Sequence, residues 1–198
     1  MADLISVTEY KNAEGIVNAK EDSRLDIIVP QVSDLAKKYC GTSFVDFFSS
    51  DKTETFSIHD NFTHTIVVSE SPLVSVTSVK ERGTYEASYE TLSTSDYEYY
   101  VDTAADAICR TTKSGAKKAF PRGVGSVQIA YRAGFSATPS DLKLALFDLV
   151  TYYLKDEHKE RRTIAGATLQ NQGTSGVRDN TDFPDHIKRV LDLYRVII

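Results

Sequence analysis

The chain has 198 residues, of which 41% are hydrophobic and 26% are charged, so a folded core is expected and disorder along the whole chain is not. Its formal net charge of −5 argues against general affinity for nucleic acid, because binding a phosphate backbone requires clustered Lys and Arg. The sequence contains neither the pattern of a secretory signal nor an apolar run long enough to span a membrane. The two cysteines, Cys40 and Cys109, are too few and too far apart for a disulfide framework and are expected to be buried. We therefore expect folding in a reducing cytoplasm.

Two helices are predicted at the start of the chain. Ser6 and Glu9 have the spacing of a capping box and predict a short helix that ends near Gly15. A second helix carries apolar residues at spacings of three and four and is expected to stop at Gly41. Pro30 lies inside this pattern and predicts a bend, because proline lacks the N–H that the helix needs.

A β-rich segment is predicted from residue 53 to residue 132, where β-branched and aromatic residues become frequent. Two short runs flank Asp60 and Asn61 and predict a hairpin. The remaining predicted strands cover residues 73–79, 85–92, 96–101, 107–110 and 127–131. Short strands separated by Gly, Ser, Asp and Thr indicate an antiparallel sheet or a small sandwich.

Two more helices are predicted after the β-rich segment. Thr138 is in position to cap the first of them, with Pro139 as its first residue. The last helix is expected to begin near Pro184. Between the two helices, residues 160–181 are rich in Gly, Thr, Asn and Gln without periodicity, which is typical of a long flexible loop.

These elements together predict an α+β fold. Helices from both ends of the chain form a bundle, and an antiparallel sheet or sandwich is inserted between them. The predicted boundaries are residues 1–52 and 133–198 for the helical part and residues 53–132 for the inserted β-rich part.

The sequence contains no recognisable catalytic, cofactor-binding or metal-binding motif. His59, Asp60 and His64 could bracket a metal ion, but they match no zinc spacing and are typical of a solvated turn. The glycines within residues 114–125 lack the spacing and the strand–helix context of a phosphate loop or a dinucleotide fingerprint. We therefore predict a protein without enzymatic activity, cofactor or metal.

Two groups of residues are candidates for contact with partners. A basic loop free of Asp and Glu contains Lys113, Lys117, Lys118 and Arg122. A candidate interface, to a portal or to a neighbouring subunit, combines Arg161, Arg162, Ile164, Val196, Ile197 and Ile198. In the plainer interpretation, the basic loop is simply solvated, and Arg161 and Arg162 lie near a helix end that favours cations. The apolar residues 196–198 then fold onto the core of their own chain. The functional interpretation is contact with an acidic partner, a passing phosphate backbone or a neighbouring copy.

Several segments follow one another in a characteristic order. After the two N-terminal helices comes SPLVSVTSV at residues 71–79, and then YRAGF at residues 131–135, which leads through Pro139 into an amphipathic helix. The chain ends with Phe183-Pro184 before the last helix and Tyr194-Arg195 after it. This ordered set spans nearly the whole chain and resembles the head–tail connector, or adaptor, family of tailed bacteriophages.

The resemblance implies a structural protein of the virion neck that assembles in the host cytoplasm. It implies a ring of twelve copies bound beneath the portal, a lumen through which double-stranded DNA passes without specific binding, and an attachment surface for a stopper or tail-completion protein. No membrane is involved. The β-rich segment and the loop at residues 160–181 are long for the smaller members of the family, so their contacts are not assigned by analogy.

Other functions remain open at the level of the sequence. The chain could be a different neck, head-completion or tail-completion protein, since such folds share parts. A nucleic-acid-binding module would use two basic clusters and would lose affinity as salt is added. One cluster contains Arg110, Lys113, Lys117, Lys118 and Arg122, and the other contains Lys155, His158, Lys159, Arg161 and Arg162. A small hydrolase or metal enzyme with dispersed residues would carry a stoichiometric ion.

Overall fold

Helical and β-rich residues separate into two units. The structure, a computed structural model, describes residues 2–83, 86–156 and 184–196. A helical unit comprises the described residues of Met1–Gly41 and Ala137–Ile197, and a β unit comprises the described residues of Thr42–Ser136. The predicted α+β class is confirmed.

The described residues of the helical unit form four helices. They are α1 (Val7–Glu14), α2 (Asp22–Cys40), α3 (Ser140–Leu154) and α4 (Asp185–Leu193). The capping box predicted for α1 is present, because the Ser6 hydroxyl accepts from the Glu9 N–H while the Glu9 carboxylate accepts from the Ser6 N–H. Gly15 ends the helix in the left-handed conformation, with φ 66°.

Helix α2 is continuous through Pro30 and ends at Gly41, which has φ 72° and donates its N–H to the Lys37 carbonyl. Its buried side faces the other helices, which fits the apolar spacing of the sequence. The buried residues are Leu25, Val29, Val32, Ser33, Ala36, Lys37 and Cys40.

The predicted start of α3 is wrong by one residue. Pro139 occupies the cap position and Ser140 is the first helical residue. The Thr138 hydroxyl donates to the Leu4 carbonyl at 2.6 Å instead of capping the helix. Because Thr138 is buried, this contact with a distant carbonyl satisfies a hydroxyl that would otherwise lose its solvation.

The β unit contains two antiparallel sheets. The strands are β1 (Lys52–Ile58), β2 (Thr65–Val67), β3 (Leu73–Glu81), β4 (Glu90–Thr91), β5 (Tyr99–Asp102), β6 (Ala107–Arg110) and β7 (Gly123–Ala133). One sheet has the order β1-β7-β3-β4 and the other the order β2-β6-β5. A single hydrophobic core includes residues from both sheets, with Val127, Ile129 and Tyr131 of β7 fully buried.

The hairpin predicted around Asp60 and Asn61 is wrong. Strand β1 pairs with β7, and β2 pairs with β6, so the two runs belong to different sheets. A turn is nevertheless present, because the Asp60 carboxylate accepts from the N–H groups of Phe62 and Thr63. The turn connects a strand of one sheet to a strand of the other. The alternation of apolar residues does not show which distant strand each run will pair with.

Gly134 permits a close backbone approach in the β unit. Its φ is 97°, and a Cβ at this position would lie 2.0 Å from the Phe44 carbonyl oxygen. The N–H of the next residue, Phe135, donates to the same oxygen at 2.7 Å. Any side chain at position 134 would therefore displace the segment that follows α2.

Candidate interaction surfaces

A network of charged and polar side chains lies at the start of β1. The Lys52 Nζ lies 2.7 Å from the Glu54 carboxylate and 3.0 Å from the Glu70 carboxylate. The same ammonium donates to the Ser69 hydroxyl at 2.7 Å, and the Ser69 hydroxyl also bonds Glu54. The Tyr131 hydroxyl accepts from the Glu70 N–H.

Glu70 joins this network to the segment that follows α2. Its second carboxylate oxygen accepts from the Thr42 hydroxyl at 2.9 Å and from the Ser43 N–H at 2.8 Å. Glu70 is 6% exposed, so these donors replace the water that a buried carboxylate requires. The network therefore fixes the first residues of the β unit.

Hydrogen bonds and burial shift the pKa values of Lys52, Glu54 and Tyr131 in this network. Burial disfavours the charged form of Lys52, but its contacts with Glu54 and Glu70 outweigh burial and raise the pKa of the ammonium. Burial is likewise outweighed at Glu54, where Lys52 and Ser69 lower the pKa of the carboxyl. Burial raises the pKa of Tyr131 to about 12. Each shift favours the form that the group already has near neutral pH, which suits a structural clamp better than proton transfer.

The predicted basic loop is exposed, but Arg110, the first cation of the same run in the sequence, is not part of this exposed surface. Lys113, Lys117, Lys118 and Arg122 are all solvent-exposed. Lys113 lies 3.5 Å from Asp96, in an exposed ion pair. Such a pair contributes little to stability because water screens it.

Arg110 precedes this loop in the sequence but belongs to the core. It is 2% exposed and forms two hydrogen bonds with the Glu81 carboxylate, at 3.0 and 2.8 Å. Its guanidinium also donates to the carbonyls of Glu98 and Thr111. The planar guanidinium thus holds β3 and β6 together and is removed from any binding surface.

Val196 is the one member of the candidate interface that the structure describes. Its N–H donates to the Cys40 carbonyl at 2.9 Å, which brings the end of the chain back to the end of α2. Nearby, the Tyr39 hydroxyl donates to Asp192 and the Tyr194 hydroxyl donates to Asp141. The other predicted residues, Arg161, Arg162, Ile164, Ile197 and Ile198, and the predicted loop at 160–181, lie outside the described residues.

A surface groove along α2 was not identified from the sequence. It has a volume of about 630 Å³ and lies within the helical unit. Its lining includes the outward-facing residues of α2, namely Arg24, Ile27, Gln31, Asp34 and Lys38. Ile27 is 60% exposed, which is unusual for a large apolar side chain on a regular helix. A signal was present in the sequence, because these five residues recur at spacings of three and four opposite the buried stripe.

The described residues contain no grouped metal ligands, and their two cysteines differ in burial. In residues 2–83, 86–156 and 184–196, no three His, Cys, Asp or Glu side chains are grouped as a metal site would require. Cys40 is buried as expected, and burial raises the pKa of its thiol to about 12, whereas Cys109 is only half-buried. None of the helices described has the length and hydrophobicity of a membrane span.

Comparison with known proteins connects this fold to phage assembly. The profile of the family described as head completion protein matches residues 3–197. The head completion protein of Escherichia phage T5 is 36% identical over 76 residues, an alignment that covers 38% of this chain and 41% of the phage protein.

Solved structures with the same fold come from gene transfer agent particles. A chain in the neck of an empty particle, computed with C6 symmetry, has 16% identity and a TM-score of 0.58 over 98% of this chain and 91% of its own length. A chain from the neck of the native particle, computed with C12 symmetry, has 16% identity and a TM-score of 0.55 over 100% and 95% of the two chains. At this level of identity the likeness shows the fold alone.

Proposed function

Because the chain belongs to the head completion protein family, we propose that twelve copies form a ring beneath the portal and continue its channel towards the tail. The resemblance to phage head–tail connectors drawn from the sequence is confirmed by this membership. The predicted location, in the virion neck at the junction of head and tail, is confirmed with it. The ring, the portal contact and the channel are the proposed part.

The observation that carries the proposal is the match of the whole chain, in family and in fold. The family profile covers both units, and the fold of both units recurs in chains of gene transfer agent necks computed with sixfold and twelvefold symmetry. Identical subunits around such an axis need heterologous contacts, in which one surface of a copy meets a different surface of the next.

The charge of the chain supports a conduit for DNA. A ring of twelve copies with a formal charge of −5 each carries 12 × (−5) = −60. A negative lumen repels phosphates and lets the duplex pass without being retained. Within this proposal, the exposed loop with Lys113, Lys117, Lys118 and Arg122 faces an acidic partner or the solvent.

The ring also provides a surface for the next component of the neck, a stopper or a tail-completion protein. Such a protein needs shape and charge but no reacting group. This agrees with the polar network at Lys52, where every described carboxylate is engaged by fixed donors. We accordingly propose that the chain has no enzymatic activity.

Light scattering of the full-length chain, with and without the portal protein of the same phage, tests this function. We expect a monomer or loose oligomer by itself and a complex with twelve copies when the portal is present. Imaging of that complex should show a ring coaxial with the portal. A small dimer of fixed size under both conditions would contradict the proposal, as would a mixture in which the portal remains bare.

A further inference from the structure

Three loops meet at one end of the three-stranded sheet β2-β6-β5. Strands β2 and β5 begin at this end and β6 finishes there, because both outer strands are antiparallel to β6. Residues 59–64 lead into β2, residues 93–98 lead into β5, and residues 111–118 follow β6. Neighbouring strands are about 4.8 Å apart, so the loop after the central strand leaves the sheet about 5 Å from each of the others.

Each of the two outer loops carries an exposed aromatic side chain. Phe62, before β2, is 84% exposed, and Tyr97, before β5, is 70% exposed. Aromatic side chains of this size are seldom left so open to water. Two of them at the same end of one small sheet therefore indicate a surface that another molecule covers.

The central loop supplies positive charge and contains no acidic residue. Lys113, Lys117 and Lys118 are exposed there. Lys113 lies 3.5 Å from Asp96 of an outer loop. In the part of the chain that the structure describes, no carboxylate lies within ion-pair distance of Lys117 or Lys118.

The other carboxylates of the outer loops bind donors of this chain. Asp60 accepts from the N–H groups of Phe62 and Thr63, both at 2.7 Å. Glu98 accepts from the Ser93 N–H at 2.8 Å. The charges that remain for a partner at this end are therefore the two lysines of the central loop.

Hydrogen bonds hold the three loops together before any partner binds. Thr111, which follows β6, donates its hydroxyl to the Tyr97 carbonyl at 2.5 Å and its N–H to the Glu98 carbonyl at 2.9 Å. On the other side, the Phe120 N–H donates to the Thr63 carbonyl at 2.9 Å. A surface that is already ordered loses little conformational entropy on binding, which favours affinity.

The chemistry of this end favours an acidic protein segment over nucleic acid. Hydrogen bonds from Phe62 and Thr63 lower the pKa of the Asp60 carboxyl, so a negative charge stays next to Phe62. A base stacked on Phe62 would bring its phosphates towards that charge. An apolar side chain of a protein can cover Phe62 without bringing a charge there, while carboxylates beside it reach Lys117 and Lys118.

We propose that Phe62, Tyr97, Lys117 and Lys118, here called the aromatic–basic site, bind an acidic segment of the next neck component. In that segment, carboxylates flank an apolar side chain. The inference rests on the proposed function, because it assigns a surface of the ring subunit to the partner on the tail side. All four residues belong to one copy, so the site does not depend on closure of the ring.

Binding of the tail-side neck protein of the same phage to rings assembled on the portal tests the site. Lys117→Glu combined with Lys118→Glu should leave ring formation unchanged and reduce this binding by about tenfold or more, because carboxylates of the partner would meet like charges. Lys20→Glu combined with Arg189→Glu is the matched control. It makes the same change of net charge at exposed residues of the helical unit and should bind normally.

Substitution of the aromatic residue provides a second readout that does not depend on charge. Phe62→Ser should weaken the same binding by about tenfold, since an apolar anchor is lost. The salt dependence of binding should persist in this variant and be reduced in the lysine double variant. Val17→Ser is the control, because Val17 is 96% exposed in the helical unit, and it should bind normally.

Each other outcome has a defined meaning. Normal binding by both site variants would overturn the inference while the proposed function would stand, and so would unmodified rings that never bind the tail-side protein. Loss of ring formation in the lysine double variant would place these residues in a ring or portal contact and also overturn it. Tight binding of single-stranded or duplex DNA that is abolished in both variants would assign the site to nucleic acid instead. Failure of the unmodified chain to form rings would contradict the proposed function.

Discussion

The polar network at Lys52 differs from the outward face of α2 in how charge is accommodated. We call this outward face, formed by Arg24, Ile27, Gln31, Asp34 and Lys38, the α2 face. In the network, Lys52, Glu54 and Glu70 are largely removed from water, and partners within the same chain satisfy each of them. On the α2 face, charges of both signs, Arg24, Asp34 and Lys38, are exposed together with Ile27, which is 60% exposed. Polar groups satisfied internally stabilise the subunit, whereas an exposed apolar centre with flanking charges is available to a partner. Substitutions in the first region should therefore lower stability, and substitutions in the second should affect assembly.

The largest loss of stability is expected for Glu70→Ala. It leaves the donors of Thr42 and Ser43 without their buried acceptor and removes one of the two carboxylates that bind Lys52. We expect the free energy of unfolding, measured in urea, to fall by about 3 to 5 kcal/mol. Glu90→Gln on the exposed strand β4 is the control and should change it by less than about 0.5 kcal/mol. Equal effects would show that the network is not a clamp.

A somewhat smaller loss is expected for Gly134→Ala. The new Cβ would meet the Phe44 carbonyl oxygen at 2.0 Å, so the backbone must move as well as tolerate a positive φ. We expect about 3 kcal/mol of destabilisation in the same urea titration. Gly115→Ala isolates the conformational part, because φ there is 79° with nothing within 4 Å, and should cost about 1 kcal/mol. Similar values for both substitutions would refute the close approach.

The network also predicts how stability depends on pH. The pKa of Glu54 is lowered from 4.5, so its contribution is present above pH 4.5 and is lost as the pH falls through the folded-state value. The pKa of Lys52 is raised from 10.5, so its contribution is present below pH 10.5 and is lost as the pH rises through the folded-state value. In Glu54→Gln, the dependence on acid should be weaker than in the unmodified chain. If stability falls equally in acid in both proteins, other carboxylates are responsible for that loss.

Ile27→Asp should leave stability within about 0.5 kcal/mol of the unmodified chain, because the side chain is exposed. If the outward face of α2 is a contact of the ring, ring formation on the portal is lost, since burying an unpaired charge in a contact is unfavourable. Val17→Asp introduces the same charge at another exposed apolar residue and should assemble normally. Normal rings from Ile27→Asp would show that the α2 face is not needed for assembly.

The smallest effect is expected in the basic loop. Replacing Lys113, Lys117, Lys118 and Arg122 together by Ala should leave both the free energy of unfolding and ring formation nearly unchanged. Retention of duplex DNA should be weak in both proteins. Tight binding by the unmodified chain, falling steeply with added salt and abolished by the substitutions, would instead identify a nucleic-acid-binding module.

Local chemistry made much of the fold predictable from the sequence. The capping box at Ser6 and the stop at Gly41 act within one helical turn, so residue spacing is sufficient to identify them. The pairing of β1 with β7 joins residues such as Thr55 and Gln128, and the alternation of apolar residues does not select such a distant partner. The predicted hairpin was wrong for that reason.

The candidate surfaces were less predictable than the fold. Arg110 stands in the same run of cations as Lys113, yet it is buried against Glu81, a residue on another strand. Its role depends on tertiary packing, which a charge run does not reveal. The α2 face was overlooked because its exposed residues are mixed in chemistry, and only the contrast with the buried stripe makes Ile27 conspicuous.

Imaging of the full-length chain bound to its portal, without imposed symmetry, would decide between a ring subunit and any other role. We predict twelve copies in a closed ring around an open channel. A complex with one or two copies, or a chain that never associates with the portal, would contradict the account.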